Sequence, residues 1–154
     1  MPNPTFHEVE RGPTFEIHQG AQVTQRLDWS GQALRSIYAG HATAECAATC
    51  IRRWEAALHS RQNINMFHDA WDMTEHESAF RTEITDWCKK NPSVFTGFHI
   101  LHRSKVVGTM IGVLSLAVPG LKINQYAKRA DFDVLARKAG LPLNPAMPPL
   151  TTRT

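Results

Sequence analysis

The chain has 154 residues, 42% hydrophobic and 20% charged, with 9 Gly and 9 Pro. This excludes collagen-like, low-complexity and globally disordered classes and fits one globular domain with a substantial core. Lys and Arg outnumber Asp and Glu by only 17 to 14, and the surplus is scattered, so no nucleic-acid partner is expected. Three cysteines are an odd number for a disulfide framework, and the N-terminus has neither a basic nor an apolar targeting region; both features predict a cytoplasmic protein.

Residues 1–13 carry three prolines and no apolar period, and are read as a flexible leader before a domain that starts at residue 14. Thr14 to His18 is a short strand candidate and Gly20 marks a turn. Val23, Leu27 and Trp29 then alternate with Gln22, Thr24, Arg26 and Asp28, the period of a half-buried hairpin strand. The stretch QALRSIYAGH after Gly31 has no clean period, and no element is assigned to it. Ala47, Cys50, Ile51, Trp54 and Leu58 recur at three-and-four spacing, which predicts a first helix over roughly 43–60.

Asn63 to Ala70 is apolar enough for a buried central strand. Thr74 and Glu77 have the spacing of a capping box that opens a second helix, with Phe80, Ile84, Trp87 and Cys88 as its apolar stripe and Lys89 to Pro92 as its end. Thr96 to Leu101 is another buried strand, and Ser104 is placed to cap a helix from Lys105 to about Val118. Apolar residues ring this third helix, which predicts burial on more than one side; it is too short for stable membrane insertion. Leu121 to Tyr126 reads as a last strand. Asp131 is expected to open a final helix with Gly140 as its left-handed stop, followed by a mobile Pro-rich tail over 140–154.

Strands alternating with helices predict a single α/β domain over 14–139, a small mixed, mostly parallel sheet of about five strands with about four helices. That order, together with FHDAWDMTEHESAFRTEITDWCKKN, FHILHRSKVVGTMIGVLSLAV and the short YAKRADFDVLARKAG helix, resembles the STAS or SpoIIAA-like family, the fold of bacterial anti-sigma-factor antagonists. The resemblance implies a non-catalytic regulatory domain that docks on a partner protein. In that family a phosphorylatable Ser sits in an Asp-Ser-Ser-Gly-like turn at the start of the second helix. The matching stretch here is Asp72-Met73-Thr74-Glu75. The serine pair and glycine are missing, and a phosphate on Thr74 would meet Asp72, Glu75 and Glu77 as like charges.

In a mostly parallel sheet, ligands and partners meet the loops at the carboxyl ends of the strands. One such loop is acidic, with Asp69, Trp71, Asp72 and Thr74; the other is basic, with His102, Arg103, Ser104 and Lys105 at a helix N-terminus. Trp71, Asp72, Thr74, His102, Arg103 and Lys105 are therefore the expected partner-binding residues, with Trp71 as anchor. The plainer alternative is that the acidic residues cap a helix and the basic loop pairs with them.

Gly108 and Gly112 form a G-x-x-x-G beside Met110 and Ile111; this stripe either packs on the sheet or is a homodimer seam. Two other classes stay open. One is a carrier of a small apolar, lipid-like ligand beside the third helix. The other is a hydrolase-like enzyme using Asp69, Asp72 and His102, although no catalytic or cofactor motif is present and none is assigned. Cys46 and Cys50, with His41 nearby, lack the ligand number and pair spacing of a zinc site. They read as buried small hydrophobes, as does Cys88, while His99 reads as a core or cross-strand histidine.

Overall fold

The computed structural model describes residues 5–143, 145, 147 and 148. The elements are β1 (His7–Arg11), β2 (Phe15–Gln19), β3 (Val23–Ser30), β4 (Ala33–Ala42), α1 (Ala44–His59), β5 (Ile64–His76), α2 (Ser78–Lys90), β6 (Phe95–Leu101), α3 (Lys105–Ala117), β7 (Ile123–Tyr126) and α4 (Arg129–Lys138). One seven-stranded sheet holds the strands in chain order. β1 to β4 pair antiparallel through hairpins, and β4 to β7 pair parallel. The α/β class and the four helices are as expected, but the sheet has seven strands and its parallel pairings equal its antiparallel ones.

Each parallel step needs a crossover, and a right-handed crossover in an ordered series returns to the same face. α1, α2 and α3 accordingly share one core with Leu34, Tyr38, Met66, Phe98 and Ile100 of the sheet. Their alternating neighbours Ala33, Phe67 and Leu101 point the other way and pack with Phe132 and Ala136 of α4. Trp54 of α1 is fully buried at the centre of the larger core. Its ring lies 5.3 Å from Trp87, 5.1 Å from Phe95 and 6.4 Å from Phe98.

Several expectations are corrected. Within the supposed leader, His7–Arg11 forms an edge strand paired with β2; all five side chains are exposed, so no apolar period marks it. Most of the supposed tail, like residues 1–4, lies outside the described residues. Ala33–Ala42 is a central strand rather than unassigned chain. Covered on both faces, it has no alternation for the sequence to display. β3 is likewise buried on both sides: the carboxylate of Asp28 on its second face accepts from Arg26 at 3.1 Å and Arg35 at 3.2 Å. α3 is not buried all round, since Val107, Ile111 and Leu114 face the core while Leu116 is 87% exposed. α4 begins at Arg129, ahead of Asp131.

The capping box is also overturned. β5 continues through Thr74 to His76, and Glu77 is the residue before α2 with no side-chain cap bond to that helix. Its carboxylate instead accepts from the Ala44 N–H at 3.3 Å, at the free N-terminus of α1. Pairing of Asp72, Met73, Glu75 and His76 with the end of β4, with Thr74 at a bulge between them, outcompeted the local helix signal. Ser104, by contrast, caps α3 as expected, accepting from the Val107 N–H at 3.2 Å, and Gly140 ends α4 with φ of 94°.

Replacing Trp54 with Ala leaves a cavity among Trp87, Phe95 and Phe98. The expected loss is about 3–5 kcal/mol of unfolding free energy, read as a lower urea midpoint with an unchanged slope.

Candidate functional site

The carboxyl ends of β5, β6 and β7 bring Trp71 and Asp72 together with Arg103, which follows β6. The Arg103 guanidinium donates to the Trp71 carbonyl at 3.0 Å and to Asp72 Oδ1 at 3.0 Å, and lies 4.9 Å from the centre of the indole ring. A residue not anticipated from sequence, Arg129 at the start of α4, stands 5.9 Å from the same ring. It makes a bidentate pair with Asp69, at 2.9 and 3.1 Å. The indole therefore lies near two guanidiniums, each held by its own carboxylate. Arg129 was detectable in principle, because the turn after a parallel strand opens on the same edge of the sheet.

Exposure separates the two pairs. The Asp69 side chain is 6% exposed, whereas Asp72 and Arg103 are 61% and 56% exposed. The inner pair is thus a fixed support, and the outer pair is a solvent-screened contact of low energetic weight. The Asp69 hydrogen bond raises the Arg129 pKa; burial raises that of Asp133, which lies 3.5 Å from Arg129. Trp71 is half-buried, its body packed against the Phe67–Phe132 core.

The remaining expected site residues are dispersed. His102 bonds Gln125 at 3.1 Å through Nε2, Lys105 is exposed at the first turn of α3, and Thr74 is exposed on β5 beyond the cluster. Asp69, Asp72 and His102 are held by three different partners, Arg129, Arg103 and Gln125. No hydrogen bond or ion pair among the described residues joins any two of them.

On α3, Ile111 is 1% exposed and belongs to the core, so it is not available for self-association. The glycine stripe is not needed for packing on the sheet. A Cβ on Gly112 would meet nothing within 4 Å, and one on Gly108 would meet only His102 Cε1 at 3.6 Å.

Among the described residues, Glu8, Glu16 and His18 have ligand atoms within 4.8 Å of one another. They do not fit a cation, because Glu16 already accepts from Arg11, Arg52 and Arg53 at 3.1, 3.0 and 2.9 Å. Burial opposes ionisation of Glu16, but the hydrogen bond and charge of Arg53, aided by His18, hold its carboxyl below the usual range. Cys46, Cys50 and Cys88 are free and buried, and burial pushes the Cys46 and Cys88 thiols up to about 11 and about 12. His41 pairs with Glu75 at 3.4 Å. His99 is a cross-strand histidine, stacked 4.5 Å from Phe67 and bonded to Tyr126 at 2.8 Å.

A chain of buried polar groups runs through the larger core. Gln25 Nε2 reaches Ser36 Oγ at 3.0 Å and Cys50 Sγ at 3.5 Å; Cys50 Sγ lies 3.3 Å from Tyr38 Oη, which lies 3.0 Å from His68 Nδ1. Burial pushes His68 down to about 3. The Tyr38 hydroxyl thus bridges Cys50 Sγ and the Nδ1 of a neutral imidazole, and the His68 tautomer sets which of each pair donates.

Among the described residues, His68 Nε2 has no hydrogen-bond partner. Because the native state keeps His68 neutral while the unfolded chain protonates near its ordinary pKa of about 6.5, stability rises with pH between about 3 and 6.5. By pH 5 this one group removes about 2 kcal/mol relative to pH 7. Urea unfolding of His68→Phe across that range is expected to lack this part of the slope.

No protein-family model matches the chain, and no curated protein matches it. The fold does match a solved structure, an uncharacterised protein of the DUF3478 family with a SpoIIAA-like fold from Shewanella loihica PV-4. The TM-score is 0.53 at 12% identity, covering 80% of this chain and 95% of that one. The chain therefore has the SpoIIAA-like fold that its sequence resembles. No helix among the described residues is long and apolar enough to cross a membrane.

Proposed function

We propose that this SpoIIAA-like domain is a non-catalytic protein-binding module of bacterial regulation, acting in the cytoplasm through the surface around Trp71, Asp72 and Arg103. The observation that carries this reading is the half-buried indole flanked by Arg129, held by the buried Asp69, and by Arg103, whose exposed pair with Asp72 is free to exchange partners. Aromatic and arginine side chains held in place before binding lose little rotamer freedom on docking, which is where interface energy concentrates. Thr74, His102 and Lys105 make no contact with this centre among the described residues and are proposed only as further partner contacts. The separate bonds of Asp69, Asp72 and His102 favour recognition over hydrolysis, since general acid–base work needs groups that converge.

Reversing the outer pair tests the surface. Arg103→Glu and Asp72→Lys change an exposed contact, so each is expected to move the thermal midpoint by no more than the equivalent of about 1 kcal/mol. Both are expected to lose at least tenfold in retention of a partner that the immobilised wild-type protein captures. Equal retention by wild type and both variants sinks the reading.

A second reading, self-association through α3, is favoured by the open space at Gly112 and by the exposure of Val106, Val113 and Leu116 at 42, 39 and 87%. Residues 106–121 contain no charged side chain. Wild type is then expected to sediment as a dimer and Leu116→Glu as a monomer. A wild-type monomer at hundreds of micromolar removes this reading.

A further inference from the structure

β2, β3 and β4 bury a second face that the helices among the described residues do not account for. Glu16 and His18 of β2 face α1, since Glu16 accepts from Arg52 and Arg53, so Ile17 between them points the other way. Cross-strand register sets Ile17 beside Arg26 and Ile37, and Phe15 beside Asp28 and Arg35. Ile17 is 3% exposed, Arg26 8%, Asp28 1% and Arg35 3%. α1, α2 and α3 lie on the opposite face, and α4 packs on Phe67, Leu101 and Ala33, which belong to β5, β6 and the start of β4. Among the described residues Ile17 joins neither apolar core. A buried isoleucine needs apolar neighbours, so another segment lies over this half of the sheet.

The chain leaving α4 is aimed at that face. Gly140, with φ of 94°, turns it so closely past the end of β3 that a Cβ there would stand 2.7 Å from Ser30 Oγ. Leu141, 3% exposed, then joins the smaller core with Ala33. From Leu141 to Leu150 the sequence has no charged residue and four prolines. Proline lacks an N–H, so such a segment can lie on a sheet face without stranding backbone donors. Pro145, Met147 and Pro148 are half-buried although no helix or strand includes them. At the polyproline rise, the chain from Leu141 to Met147 spans about 19 Å. From Ser30 and Ala33 the diagonal along the strands and across to Ile17 on β2 is about 16 Å, so Met147 is within reach of it.

We infer that residues 141–150 form a strap that docks in cis across the second face of β4, β3 and β2, with Met147 over Ile37 and Ile17. The strap shields the Arg26–Asp28–Arg35 cluster, whose bonds at 3.1 and 3.2 Å strengthen as water is excluded. The C-terminal segment is then part of the domain, which extends beyond residue 139. The strap goes beyond docking at the Trp71 surface and does not depend on it.

The test is methyl NMR of the full chain, labelled at Met and Ile in a deuterated background, with the Met147 signal identified by its loss in Met147→Leu. The expected result is an NOE from the Met147 methyl to an Ile17 or Ile37 methyl. It is expected to vanish in an equal mixture of Met-labelled and Ile-labelled chains, because the contact lies within one molecule. Met147→Asp places a charge under the strap. It is expected to raise the paramagnetic relaxation of the Ile17 methyl by a soluble probe severalfold, and to leave that of Ile111 on the opposite face unchanged.

Absence of both NOEs in the wild type overturns the inference. So does their survival in the mixture, which assigns the segment to a second copy, or an NOE from Met147 to Met110, which places it on α3. Equal relaxation of Ile17 in the wild type and Met147→Asp also overturns it.

Discussion

The seam between β4 and β5 is the constraint on which the rest of the structure depends. On one side β4 pairs antiparallel with β3, and on the other it pairs parallel with β5, so the hairpin half and the crossover half of the sheet meet there. A parallel pair cannot close through a short turn, and α1 must cross over to make it. Both strands are then covered on two faces, which is why their inner positions are apolar or polar groups with bonded partners. The polar chain from Gln25 and Ser36 through Tyr38 to His68 crosses this seam.

Buried carboxylates pin the layers around the seam. Glu16 of β2 takes Arg52 and Arg53 from α1, Asp28 of β3 takes Arg35 from β4, and Asp69 of β5 takes Arg129 from α4. Such pairs contribute little net stability after desolvation, but losing one partner leaves a buried charge, so they disfavour alternative registers. The same logic shapes the candidate site. The inner Asp69–Arg129 pair positions the indole, and the outer Asp72–Arg103 pair remains free to exchange partners.

Helix faces were the most legible part of the sequence. The stripe of α2, that of α1 apart from the exposed Leu58, the Ser104 cap and the Gly140 stop appear where spacing placed them, because these signals act within one or two turns. The strands were less legible for a stated reason. β4 is covered on both faces and β1 on neither, so neither shows the one-sided alternation that marks a strand; β3 did show it, but its polar positions are buried as well. At the site, Trp71, Asp72 and Arg103 were recognisable as residues at one edge of the sheet, although Trp71 and Asp72 lie within β5 rather than on a loop. Arg129 was missed: its place after β7 puts it on the same edge, but its role comes from a contact sixty positions away with Asp69.

By itself the sequence determined the α/β class, the helix faces and the SpoIIAA-like order of elements, all of which follow from local periodicity and the need to bury apolar stripes. Only the tertiary structure decided that residues 71–76 are strand rather than loop and helix cap, since pairing with β4 satisfies more backbone groups than a local capping box. It alone also decided that α3 keeps an open apolar flank and that the buried His68 Nε2 has no hydrogen-bond partner among the described residues. Both depend on what the neighbouring elements place there, which no local pattern encodes.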